Sequence, residues 1–263
     1  MDEKLAAFGR LLTIMDELRA GCPWDRKQTF ESLRYLTIEE TYELSDAILE
    51  NNPKEICKEL GDLMLHMVFY AKIGSETGDF DIKDVLDGIA EKLIARHPHI
   101  YSDVQVADDE DVKNNWEKIK LKEKGRKTVL GGVPNSLPAM VKAFRMQEKT
   151  RGVGFDWKET EQVWEKVNEE IGELQQEVAR GDVAAMEREF GDLLFSLVNY
   201  ARFIGVNPED ALERTNRKFM RRFNYIEEQA RKNGNALHQL SLEQMDALWD
   251  EAKKKEGEKQ EEK

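Results

Sequence analysis

The chain is written twice. Shifted by 130 residues, the apolar series Ile56, Leu60, Leu63, Met64, Met67, Val68 and Ala71 falls on Met186, Phe190, Leu193, Leu194, Leu197, Val198 and Ala201. A repeat of this length means that one supersecondary unit has been copied whole, so whatever the fold is, it is built twice. The three- and four-residue steps are those of one face of an amphipathic helix. Start signals agree with them. Asn52, Pro53 and Glu55 offer an N-cap, a proline at the first helical position and a glutamate at the third. Thr37 to Glu40, Asn207 to Asp210 and Ser241 to Gln244 take similar forms. Only 6 prolines and 17 glycines punctuate 263 residues, and no alternating run competes. The sequence predicts an all-α protein of two tandem helical-bundle domains.

The register drifts by a residue or a few outside the central block. Gly21 to Asp25 faces Gly152 to Asp156, Asp84 to Arg96 faces Asp210 to Arg222, and Trp116, Glu117 and Lys118 face Trp249, Asp250 and Glu251. The expected domains are 1–123 and 137–263, joined by a linker at 124–136 that carries Gly125, Gly131, Gly132 and Pro134. From about 253 onward a charged tail without an apolar face is expected, and Asp108 to Asp111 reads as a solvated helix start. A net charge of -13 argues against a nucleic-acid footprint and against anionic membrane surfaces, both of which need a basic face. No apolar run approaches the ~20 residues of a membrane span, and the first ten residues do not resemble a secretory signal. A cytoplasmic protein is expected. Two cysteines and four histidines are too few for a disulfide scaffold or a histidine-rich metal site. Cys22 and Cys57 read as packing residues, and His97 and His99 do not have the spacing of a ligand pair.

The repeated block also carries acids. Glu39, Glu40, Glu43, Glu59 and Asp62 land on Glu169, Glu170, Glu173, Glu189 and Asp192. Residues three apart share a helix face. If the two helices of a copy pack antiparallel, Glu40, Glu43, Glu59 and Asp62 converge, and so do Glu170, Glu173, Glu189 and Asp192. Converging anions raise one another's pKa unless a cation neutralises them. Oxygen ligands without cysteine or histidine point to Mg²⁺ or Mn²⁺. A di-iron pattern needs a histidine three residues after a glutamate; aspartate stands there in both copies. In a chain that is 35% charged, any single pair of this kind also fits a solvated helix face. The recurrence of the whole set beside the apolar stripe favours the metal site.

Glu-Glu-x-x-Glu followed sixteen residues later by Glu-x-x-Asp resembles the signature of MazG-type nucleoside triphosphate pyrophosphohydrolases. Gly21 to Asp25, His97 to His99, Gly131 to Pro134 and Gly154 to Trp157 are similar to the two-domain bacterial members in particular. The resemblance implies Mg²⁺-dependent cleavage of nucleoside triphosphates to monophosphate and pyrophosphate, in helical domains that form a homodimer. It implies Glu170, Glu173, Glu189 and Asp192 as metal ligands, with Glu169 as a further ligand or the base that orients the attacking water. A pyrophosphatase restricted to one nucleotide, and a non-catalytic helical nucleotide-binding module, are the rival readings.

The copies differ in their cations. Lys218, Arg221 and Arg222 form a basic patch on one helix face, where the first copy has Lys92, Ala95 and Arg96. Lys166, one turn before Glu170, faces Leu36, and Asn199 faces Phe69. All three differences point to the second copy as the principal catalyst, with Lys166, Lys218, Arg221, Arg222 and Asn199 toward the substrate. Trp249, Phe155 and Trp157 are candidates to stack on the base, and Lys149 or Arg151 to reach phosphates or base edges.

Overall fold

The computed structural model describes residues 2–102, 104–106, 112, 115–116, 119 and 128–261, with side chains as far as 257. No strand occurs among them. The chain divides into two compact units, Met1–Val112 and Lys113–Lys263. The first holds α1 (Glu3–Gly21), α2 (Phe30–Leu49), α3 (Pro53–Thr77), α4 (Ile82–Arg96) and the short α5 (Pro98–Tyr101). The second holds α6 (Ala139–Arg151), α7 (Thr160–Arg180), α8 (Val183–Phe203), α9 (Pro208–Lys232) and α10 (Leu242–Glu261). In each unit the same hairpin is the centre, α2 with α3 and α7 with α8, and the preceding helix packs on its second arm.

The hairpin turn is where sequence sets geometry. Its left-handed residue is Asn51 (φ 52°) in the first unit and Gly181 (φ 74°) in the second, at matching positions of the repeat. Glycine adopts this conformation without penalty and asparagine is among the few others that visit it. The following residue caps the next helix: Asn52 accepts from the Glu55 N–H, and Asp182 from the Ala185 N–H. Turn and cap together fix how far one arm slides along the other.

One start signal was misleading. Thr37 to Glu40 lies inside α2, which begins seven residues earlier at Phe30, behind a capping box between Thr29 and Ser32 (2.8 and 3.2 Å). The Thr37 hydroxyl bonds the Leu33 carbonyl one turn back (3.1 Å) and meets the Tyr70 hydroxyl at 2.7 Å. A hydroxyl can bond back to the preceding turn as readily as it caps a helix, so the pattern alone does not mark an end. Asn207 and Ser241 do cap α9 and α10.

The first unit's core is Met15, Leu33, Val68, Phe69 and Ile73, with Phe8, Leu11, Phe30 and Tyr70 among the side chains packed against it. The apolar stripe is only partly used within a unit. Val68 and Ala71 are buried, whereas Leu60, Met64 and Met67 are exposed, as are Phe190, Leu194 and Leu197 in the second.

Of the expected linker, 124–127 lie outside the described residues and Leu130–Gly132 forms a 3-10 turn. The acidic run 108–111, and Glu117 and Lys118 of the repeat, also lie outside them. The segment from Lys253, expected as a tail, continues α10 through Glu261. Ala252 is buried there, Lys255 sits over the Tyr225 ring, and Glu256 pairs with arginines of α9. Charge pairing holds this helix where an apolar face is lacking.

Phe69 is 2% exposed at the centre of the first unit's core. Phe69→Ala is expected to cost about 3–5 kcal/mol, measured by urea unfolding followed by circular dichroism. A loss under ~1 kcal/mol would mean that the site collapses around the missing ring.

Candidate metal and substrate site

Antiparallel pairing of α7 with α8 brings Glu170, Glu173 and Glu189 together, each offering a carboxylate oxygen within 4.8 Å of the others. Pairing of α2 with α3 does the same for Glu40, Glu43 and Glu59. In both sets one member is buried (Glu170, 5% exposed; Glu59, 3%) and one is exposed (Glu173, Glu43). Asp192 and Asp62, one turn further along α8 and α3, stand outside the 4.8 Å sets. Asp62 is nonetheless close enough to act on Glu40.

The electrostatics are those of anions held together. The Glu40 carboxyl is raised above its ordinary value by desolvation, then by the charges of Asp62, Glu43 and Glu59. Glu173 is raised by desolvation and then by Glu170 and Glu189. Each unit supplies one lysine against this repulsion, from a different place. In the second, Lys166 bridges Glu170 (2.7 Å) and Glu169 (3.0 Å), and those hydrogen bonds hold its ammonium well above the usual lysine range. In the first, where Leu36 replaces that lysine, Lys58 pairs with Glu59 at 2.8 Å. The other Glu59 oxygen, Oε2, is buried and meets no donor among the described residues.

One lysine against three or four carboxylates leaves the set negative. Three convergent hard oxygens in each unit, with an orphaned buried oxygen in the first, fit a divalent cation of the Mg²⁺ or Mn²⁺ class. Glu170, Glu173 and Glu189 would hold it in the second unit, and Glu40, Glu43 and Glu59 in the first.

The basic patch forms on one helix. Lys218, Arg221 and Arg222 share α9, where Arg222 (2.8 Å) and Arg221 (3.3 Å) both bond Glu256 of α10. Trp249 packs against Phe219, ring centroids 5.2 Å apart, and lies 5.3 Å from the Arg222 guanidinium. Asn199 stands on α8 two turns beyond Asp192, and its Oδ1 accepts from Arg202 at 2.8 Å. It lines a cavity of about 390 Å³ together with Gln147, Phe155, Trp157, Phe195 and Arg202. Lys149 is buried at 2% exposure, on the interior of the unit. Arg151 lies 3.9 Å from Asp156.

Sequence reasoning missed Gln147, and the bidentate pairing of Arg202 with Asp156 (2.8 and 2.5 Å). A signal for the second existed, because the first copy also carries opposite charges at these positions, Lys72 and Asp25. Cys57, expected in packing, is exposed, since it falls on the solvent side of α3; Cys22 is half-buried. His97 bonds the Leu93 carbonyl through Nδ1 (2.6 Å), closing its own helix, and neither His97 nor His99 joins a ligand cluster among the described residues.

Each unit is thus an all-α bundle built on a helical hairpin that gathers three carboxylates, a donor set that would suit a divalent cation. The family is shown directly: the model of the MazG nucleotide pyrophosphohydrolase domain matches residues 28–101 and 158–226, and the chain belongs to that family. It is 46% identical to the nucleoside triphosphate pyrophosphohydrolase/pyrophosphatase MazG of Thermotoga maritima, over 96% of this chain and 98% of that protein. To the nucleoside triphosphate pyrophosphohydrolase of Escherichia coli K12 it is 42% identical, over 94% and 97%. A Bacillus subtilis protein named uncharacterized protein YabN is 48% identical over 97% of this chain and 54% of its own length.

The raised Glu173 carboxyl makes a signed prediction. A folded-state pKa above the unfolded value means that this group favours folding when protonated and loses that contribution as pH rises through the folded pKa. In metal-free protein Glu173→Gln should therefore melt above wild type at pH 7.5. The difference should fade below the ordinary carboxylate range, where Glu173 is protonated in both states. A variant melting below wild type at pH 7.5 would contradict the repulsion argument.

Proposed function

We propose that the protein hydrolyses nucleoside triphosphates between the α and β phosphates, releasing nucleoside monophosphate and pyrophosphate, with Mg²⁺ held by the second unit's carboxylates. The observation that carries the reading is the Glu170, Glu173 and Glu189 set within 4.8 Å, in a chain whose family and relatives carry that activity in their names. Bound there, Mg²⁺ would neutralise phosphate oxygens and make a coordinated water more acidic. Glu170, Glu173 and Glu189 would hold it, with Asp192 one turn further along α8 as a further carboxylate. Glu169, free to exchange its bond to Lys166 for one to water, accepts the proton of the attacking nucleophile. Lys166 then turns its ammonium toward the phosphate oxygens on which charge accumulates. Lys218, Arg221 and Arg222 serve the β and γ phosphates once Glu256 lets go of the two arginines. Trp249 keeps the Arg222 guanidinium in place.

Exposed Phe190, Leu194 and Leu197 continue the buried stripe of α8 and favour a homodimer that covers them. No helix among the described residues is long and apolar enough to cross a membrane, which accords with work in the cytoplasm on free nucleotides.

The second unit is the principal catalyst, because Lys166, Asn199 and Arg221 face Leu36, Phe69 and Ala95 in the first. Purified protein incubated with Mg²⁺ and a mixture of ribo- and deoxyribonucleoside triphosphates should yield monophosphates and pyrophosphate. Diphosphates with phosphate would contradict α–β cleavage, and no products would favour a binding module. Glu173→Ala should abolish turnover while Glu43→Ala leaves most of it; equal losses would refute the division of labour.

A further inference from the structure

The arginines of α9 already hold a carboxylate of their own chain. Arg222 donates through Nε to Glu256 Oε2 (2.8 Å), and Arg221 through Nε to the other oxygen, Oε1 (3.3 Å). One acid of α10 thus bridges two neighbouring cations of α9. Lys218, one turn before them, forms no ion pair among the described residues, so a single carboxylate leaves most of the patch's positive charge uncompensated. The repeat shows what the second copy added. The seven-residue step from Trp249 to Glu256 recurs as Trp116 to Glu123, and Arg96 stands where Arg222 does, but Ala95 replaces Arg221. Glu123 itself lies outside the described residues. In sequence, the first copy has one arginine for its glutamate, and the second has one more than its glutamate can neutralise.

The helix that carries Glu256 is firmly seated at one end only. Trp249 packs on Phe219 (ring centroids 5.2 Å apart) and lies 5.3 Å from the Arg222 guanidinium. Ala252 is the last buried residue of α10 among those described. Beyond it the contacts are polar. Lys255 bonds the Tyr225 hydroxyl (2.6 Å) and pairs with Glu251 (3.0 Å), and Glu256 holds the arginines. Gly257 follows at once within the helix, where a Cβ would touch nothing. Glycine weakens a helix interior, because it gives up the most backbone freedom and contributes no packing. Without an apolar anchor after Ala252, the end of α10 depends on its charge pairs. Arg222, by contrast, keeps its place against Trp249 whether or not Glu256 is present. Arg221, with a side chain 62% exposed, is the first of the two that an incoming anion meets.

A phosphate chain is a stronger partner for two guanidinium groups than one carboxylate, since it brings more charge and more acceptor oxygens. We propose that Glu256 is a positioning residue, an internal anion that holds Arg221 and Arg222 until the phosphates of a substrate displace it, whereupon the end of α10 is released as a strap. This rests on the pyrophosphohydrolase reading and adds how that site is guarded. The exchange discriminates by charge. A triphosphate spans both arginines, whereas a single phosphate group competes poorly with a carboxylate already in place. Return of Glu256 after the reaction helps to expel the product.

Two readouts on the full chain test the strap. Amide hydrogen exchange followed by mass spectrometry, in Mg²⁺ with and without inorganic triphosphate, should show residues 253–261 exchanging about tenfold faster with the ligand while α9 exchanges more slowly. Inorganic phosphate at the same concentration should leave 253–261 unchanged. In steady-state hydrolysis of ATP, Glu256→Gln should show a KM about fivefold below wild type with kcat within about twofold, because the competing charge is gone. The exchange measurement needs no variant, so it decides even where Glu256→Gln fails to fold by circular dichroism. Three results would each mean that Glu256 is a fixed brace, and would overturn the strap while leaving the hydrolase reading standing. These are exchange at 253–261 that slows or stays the same with triphosphate, the same acceleration by inorganic phosphate, and a Glu256→Gln KM at or above that of wild type. A wild type that hydrolyses no nucleotide overturns the activity and the strap with it.

Discussion

Everything in this molecule turns on like charges being held where they do not want to be. The α2–α3 and α7–α8 hairpins each fold three carboxylates to within 4.8 Å of one another, and a single lysine offsets only part of the repulsion. Burial worsens the conflict, because Glu59 and Glu170 are almost wholly removed from water. The opposing force is local and precise: a left-handed turn at Asn51 or Gly181, a capped helix immediately after it, and apolar packing along the arms. The rest of each unit is the scaffold that keeps this strained arrangement from relaxing. Strain of this kind is what a divalent cation would relieve.

Much of this was legible in the sequence because helical geometry is periodic. The steps Glu40 to Glu43 and Glu59 to Asp62 fix which acids share a face, and the 130-residue repeat separates what is maintained from ordinary surface drift. Helix starts were legible where a proline or a full capping box accompanied the cap, as at Asn52 and Ser241. Thr37 misled because the same hydroxyl bonds equally well to the turn behind it. Asp62 and Asp192 show the limit of facial reasoning. A shared face places a residue in line with a site, but the reach of a side chain one turn away depends on the crossing of two helices, which spacing does not encode.

Long-range polar pairings were harder still. Nothing near Arg221 and Arg222 announces that Glu256 will meet them, and a segment of lysines and glutamates reads as solvated until a partner helix is known. Gln147 was invisible for the opposite reason. A glutamine on an amphipathic helix is ordinary in sequence, and only the packing of α6 on α8 shows that one of its two polar atoms is satisfied while the other is left over. The contrast of Phe69 with Asn199 was visible as a difference, but its meaning, a closed core in one copy and a lined cavity in the other, required the fold. The duplication thus provides an internal control, with two hairpins of the same geometry and different surroundings.

The account stands or falls on whether the carboxylate sets bind a divalent cation. Mn²⁺ titrated into metal-free protein, with free ion followed by electron paramagnetic resonance, reads this without reference to substrate or products. The account predicts tight Mn²⁺ binding by wild type, competed by Mg²⁺, with a second-unit site that disappears in the Glu170→Gln, Glu189→Gln double variant while the first-unit site remains. Mn²⁺ bound equally by wild type and the double variant would contradict it, and would return those acids to the status of a charged helix face.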